Sequence, residues 1–219
     1  MTRSKRDTVE ALLLREEWEK ARKRLQKELA GDPDNHWLLT QLGVTFYEQG
    51  QFLDALKCLR SSLEIVPDCP LTLWNLAGTL DSLGKTRVAI PIYTWLLNSK
   101  RSPVDDSCWE SEAWTDSLKT DCVYRLGVCF QHLGSQASAE HCFRQYLNLM
   151  LAGMVGSYPM EDVAIHFREP TTRGKKQLES KVRATIDSAL LDSGIPRLSN
   201  GRHKLPKLKF DELLQSTTA

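Results

Sequence analysis

LGVTFYEQGQFLDALKCLRSSLEIVP, residues 42–67, decides the fold. It joins two segments of helical apolar spacing through a turn at Gly50 and closes on Pro67. Its small and large residues recur along the chain. Ala21, Ala55 and Ala89 lie 34 residues apart, as do Leu25, Leu59 and Tyr93; Pro33 and Pro67 share the interval, and so do Gly50 and Gly84. A further copy, LGVCFQHLGSQASAEHCFRQYL at 126–147, is displaced. Gly134, Ala139 and Phe143 lie 50 residues beyond Gly84, Ala89 and Tyr93, so 16 residues are inserted between about Asn98 and Lys119. A period of this size marks a supersecondary unit that buries its apolar face only against a neighbouring copy.

The columns have a packing reason. Gly43, Ala77 and Gly127 in the first segment of each copy lack the bulk that would push away Ala55, Ala89 and Ala139 in the second. Larger residues fill the space around that contact: Leu42, Leu76 and Leu126, then Phe46, Leu80 and Phe130, then Leu59, Tyr93 and Phe143. Gly50, Gly84 and Gly134 fall where a residue able to take positive φ ends the first helix. Pro33 and Pro67 follow the second helices and stop them.

This pattern resembles the tetratricopeptide-repeat (TPR) family, strongly over 36–153 and weakly over 7–35, where Glu16 stands in place of the turn glycine. The resemblance implies an all-α fold, a right-handed α-solenoid of antiparallel helix pairs. It places full repeats at 36–69, 70–103 and 120–153, with a degenerate N-terminal unit or cap at 1–35. The insertion at 104–119 carries a cap at Asp105 or Asp106 and apolar residues Trp109 and Trp114, and reads as a short extra helix or an extension of the next repeat's first helix. Its tryptophans are expected to cover an exposed edge, with a partner contact as the alternative. After Met154 the pattern breaks at Gly156 and Pro159. A C-terminal extension over 154–194 ends in an amphipathic capping helix from Lys175 to Gly194, followed by a basic, flexible tail at 195–219.

Composition bounds the function. The chain has 219 residues, 41% hydrophobic and 26% charged, with a net charge of +1. The charge is uneven: residues 171–219 carry 10 basic and 5 acidic groups. No stretch reaches the ~20 apolar residues that span a bilayer, and Ala11–Leu14 is too short for a signal peptide. The six cysteines form no CxxC pair and read as reduced thiols in a cytoplasmic protein.

No phosphate loop, dinucleotide fingerprint, metalloprotease helix or nucleophile elbow is present, so the expectation is a protein that is not an enzyme and needs no cofactor. Cys129, His132, His141 and Cys142 invite a zinc reading, but the repeat frame makes the thiols small core fillers, so no metal site is expected. The site implied by the resemblance is the concave groove lined by first helices, suited to a peptide or protein segment. Its positions are Trp37, Gln41, Val44, Tyr47, Trp74, Asn75, Tyr124, Arg125, Gln131 and His132, flanked by Thr40, Glu48, Leu71, Gly78, Asp81, Ser82, Asp121 and Val128. Packing against neighbouring repeats is the alternative for Trp37 and Trp74. A TPR subfamily that clamps the carboxylate of chaperone tails is matched only at Asn75 and Arg125; Thr40, Val44 and Asp121 stand where lysine, asparagine and lysine are wanted. A typical chaperone-tail clamp is therefore not expected.

The expected function is a scaffold or adaptor with a protein partner. The alternative is a regulatory module whose basic tail contacts nucleic acid or an anionic surface. The tail's dilution by acids argues against nucleic acid, and an open stack leaves room for a homo-oligomer.

Overall fold

The computed structural model describes residues 3–101, 108 and 110–167. The expected cap at Asp105 or Asp106, Trp109, the capping helix at 175–194 and the tail at 195–219 lie outside the described residues. Among the described residues the chain is all-α, with nine helices and no strand: α1 Arg3–Leu14, α2 Trp18–Leu29, α3 His36–Tyr47, α4 Phe52–Ile65, α5 Pro70–Ser82, α6 Thr86–Asn98, α7 Glu112–His132, α8 Gln136–Leu151 and α9 Met160–Ala164. Two compact units divide between Gly84 and Lys85.

In the first unit α1 packs on α2, α2 on α3, α3 on α4, and α5 on both α3 and α4. Val9, Leu25, Leu38 and Leu42 form its buried cluster across α1, α2 and α3. The start of α3 is fixed by Asn35, whose side-chain oxygen accepts from the Leu38 amide at 3.1 Å. Deeper in, Thr40 of α3, Ser62 of α4 and Thr72 of α5 meet in a closed ring of hydroxyls at 2.7–3.0 Å. Thr40 and Ser62 also reach the His36 carbonyl, at 2.9 and 2.8 Å. All three hydroxyls are fully buried, so the ring meets the requirement that buried polar groups be paired and ties three helices at one point.

Turn chemistry explains the weak N-terminal copy. Gly50 takes φ +71, and the Gln51 amide bonds back to the Phe46 carbonyl at 2.9 Å, the Schellman ending. Glu16, at the same register, takes φ +56, and Glu17 bonds back to Leu12 at 3.0 Å. The turn is kept although the glycine is not. Positive φ costs a non-glycine residue about 1–2 kcal/mol, against about 0.5–1 kcal/mol for glycine's greater freedom when unfolded. Glu16 also raises the pKa of Glu48, after the larger effect of burial, so the two carboxylates repel. Glu16→Gly is expected to raise the denaturant-unfolding free energy by about 0.5–1 kcal/mol.

In the second unit α7 packs on α6 and α8, and α9 on α8. Ser111 caps α7, its hydroxyl accepting from the Trp114 amide at 3.1 Å. The described end of the insertion is thus an N-terminal extension of α7, which runs unbroken for 21 residues. Ala139, Phe143 and Tyr146 of α8 are fully buried against it. Gly153, at φ +89, ends α8 and turns the chain back.

Candidate functional site

The groove positions fall in both units. On α3, Trp37, Gln41, Val44 and Tyr47 are half-buried, as are Trp74 and Asn75 on α5. The two helices are neighbours, and the Ser82 hydroxyl lies 3.4 Å from the Tyr47 hydroxyl. Tyr47 also tilts against Phe52 at 5.4 Å. Asn75 gives its side-chain amide to the Leu71 carbonyl at 2.8 Å, which fixes its rotamer on the helix.

Trp37 is seated differently from its neighbours. It packs on the Val9, Leu25, Leu38 and Leu42 cluster, and the Arg6 guanidinium lies 4.8 Å from its ring centroid. Among the described residues its buried indole nitrogen has no hydrogen-bond partner. The packing alternative describes this residue. Four flanking positions are corrected outright: Thr40, Gly78, Asp81 and Asp121 are buried. For Thr40 the reason is the hydroxyl ring; for Asp121 it is a segment from later in the chain.

That segment is Gly156–Pro159, and it lies on α7 and α8. The Ser157 amide and hydroxyl donate to the two oxygens of the Asp121 carboxylate at 2.8 and 2.6 Å. Burial pushes the Asp121 carboxyl above its usual range, and the two Ser157 bonds partly offset this. The Tyr158 amide donates to the Tyr146 hydroxyl at 3.0 Å, which in turn donates to the Tyr158 carbonyl at 2.8 Å. The Tyr158 ring stacks on Tyr124, centroids 3.8 Å apart and planes 20° from parallel. Arg125 donates from Nε to the Tyr93 hydroxyl at 3.0 Å and hydrogen-bonds Tyr158 as well. His166, beyond α9, stacks on Phe143 at 4.2 Å. Tyr124 and Arg125 therefore sit under the chain's own residues, while Gln131 and His132 at the end of α7 are exposed.

Sequence reasoning passed over Tyr93, Tyr146, Ser157 and Tyr158 as site residues. The available signal was Asp121 followed by Cys122 and Val123 on α7, together with a Gly-Ser-Tyr-Pro run shortly after the repeat. No three of Cys129, His132, His141 and Cys142 bring ligand atoms within 4.8 Å of one another. None of the six cysteines is in a disulfide, and burial pushes the Cys142 thiol up to about 12 and that of Cys58 to about 11.

No helix among the described residues is long and apolar enough to cross a membrane. No family model matches the sequence, and no curated protein does. Several solved structures resemble the chain, two of them as follows. One is described as a MamA RS-1 ArsTM double mutant, at 14% identity and TM-score 0.49, over 84% of this chain and 95% of that one. The other is a crystal structure of MamA protein, at 15% identity and TM-score 0.47, over 87% and 90%.

Proposed function

We propose that this protein is an interaction scaffold that holds a segment of a protein partner against its first-helix faces. The observation that carries the reading lies in the first unit. There α3 and α5 are adjacent, and Gln41, Val44, Tyr47, Trp74 and Asn75 remain half-buried once the core around them is complete. Two aromatics with amide groups between them match the composition of binding hot spots. Asn75, tied to the Leu71 carbonyl, is pre-oriented rather than free to collapse. Catalysis has no part in the proposal, and a cytoplasmic setting, consistent with six cysteines outside any disulfide, belongs to it.

The test is chemical cross-linking in native extract with wild-type chain and a Tyr47→Ala/Trp74→Ala variant of matched helicity. A partner cross-linked at α3 and α5 and lost at least tenfold in the variant is the expected result. Equal recovery by both chains removes the face from consideration. The charge excess of residues 171–219 supports the second reading, a tail that contacts nucleic acid or an anionic surface. That reading requires binding that weakens steeply with salt and vanishes when 195–219 are deleted.

A further inference from the structure

We propose that the α7–α8 surface around Asp121, Tyr124 and Tyr146 is a recognition site for an extended Ser-Tyr-Pro segment, held closed by residues 156–159 until a partner segment of the same chemistry displaces them. The inference rests on the reading of first-helix faces as the binding surface, and it adds which peptide the second unit takes and what guards it.

The contacts are those of a ligand more than of a loop. One carboxylate accepts both the amide and the hydroxyl of Ser157, so each oxygen is paired only if the incoming residue has a hydroxyl. One tyrosine hydroxyl reads the amide and the carbonyl of the next residue, a main-chain contact indifferent to its side chain. Specificity for an aromatic there comes from the Tyr124 face and from Arg125 at the ring's far end. Pro159 disfavours helix at Tyr158 and presets the extended backbone the site requires. A residue with a side chain at 156 is excluded: a Cβ there would lie 2.3 Å from the Tyr146 hydroxyl oxygen. Tyr146 is fully buried, so moving its ring aside would displace packed neighbours.

The seated segment is only four residues long, and Ser157 itself remains exposed. A covering of this kind competes at an effective concentration on the order of millimolar, enough to block a weak peptide and too little to block a tight one. The geometry thus sets a threshold for the partner.

Gly156→Ala in the full chain removes the covering through the Tyr146 clash, and Ser157→Ala/Tyr158→Ala removes it by deleting the contacts. The probe is a fluorescent synthetic peptide, VGSYPM, read by anisotropy against both variants and the wild type. Both opened chains are expected to bind it at least tenfold more tightly than wild type. Adding Asp121→Asn to either, or replacing serine by alanine in the peptide, is expected to reverse the gain about tenfold. Equal binding by opened and wild-type chains overturns the proposal, as does a wild-type dimer dissociated by the peptide, which would make the segment an exchange arm between copies. Cross-linking at α3 and α5 does not depend on this site, so loss of the peptide result with that cross-linking intact would sink this inference alone.

Discussion

Phe143→Ala is expected to lower the stability of the second unit by about 3–5 kcal/mol, the range for removing a fully buried aromatic. The ring has no exposed surface and is enclosed on several sides: Tyr124 tilts against it at 5.5 Å, His166 stacks at 4.2 Å, and Gly127 lies beneath it. Its removal leaves a cavity bounded by α7, α8 and the residues after α9, and urea denaturation would report the loss as a lower midpoint. The same contact makes Gly127→Ala unfavourable. A Cβ there would stand 2.7 Å from Phe143 Cε1, with the ring backed by His166. Overpacking of this kind costs about 1–3 kcal/mol, enough to cancel the ~1 kcal/mol that alanine gains in a helix. Phe143→Leu should relieve part of that cost, so the double variant is expected to be more stable than the sum of its single changes implies. Strict additivity would mean that the two residues do not meet. Gly43→Ala is the contrast: its Cβ would meet Leu59 side-chain carbons at 3.0 and 3.1 Å and the Ala55 carbonyl oxygen at 3.4 Å, all longer than the 2.7 Å at Gly127, and its effect is expected to lie within about 1 kcal/mol of zero.

Arg22→Ala is expected to cost about 2–3 kcal/mol and to release α1 and α2 from α3. The guanidinium donates to the Thr45 carbonyl at 3.2 Å, in the last turn of α3 where helix carbonyls run out of backbone donors. It also reaches the side chains of Gln49 and Gln51, the latter at 3.1 Å, and lies 4.1 Å from the Phe46 ring centroid. Its side chain is only 13% exposed, so water competes little for these bonds. Arg22→Lys keeps the charge but not the planar fork, and should recover less than half of the loss. Hydrogen exchange would distinguish this from a global effect: amides of α1 and α2 should lose protection while those of α4 and α5 keep theirs. Uniform loss of protection would contradict a local clamp.

The two predictions mark where sequence reading succeeds and where it stops. Phe143 and Gly127 were legible as a large and a small column of the repeat, but the small column was paired with Ala55 and Ala139, whereas a Cβ at Gly127 meets Phe143 and one at Gly43 meets Leu59 first. The turns were legible for the same reason, including the departure at Glu16. Arg22 was not, since the 34-residue frame aligns it with Leu56 and Ile90, and its role depends on polar atoms of one particular turn that no other copy shares. Asp121 was misplaced by the same logic. Periodicity assigns it to an open face, but its burial is decided by Ser157, a residue 36 positions later in a stretch with no periodicity. Half of the hydroxyl ring's explanation is likewise non-local, because Thr40 is buried by partners on α4 and α5. A repeat frame identifies which positions face one another within the array; it says nothing of what the ends of the array fold back upon.

The buried thiols carry a consequence for measuring all of this. Cys69 lies in the first unit, and Cys122 and Cys142 in the second; each is buried, and Cys142 stays protonated well above neutral pH. A thiol in that state is inert to alkylation until its surroundings come apart. The protein therefore contains its own clocks, one set per unit. Timed alkylation followed by peptide mass mapping, at reagent levels where closing outruns reaction, would give the opening equilibrium of each half without any added label. Native cysteines would then report whether the two halves melt as one body or as two.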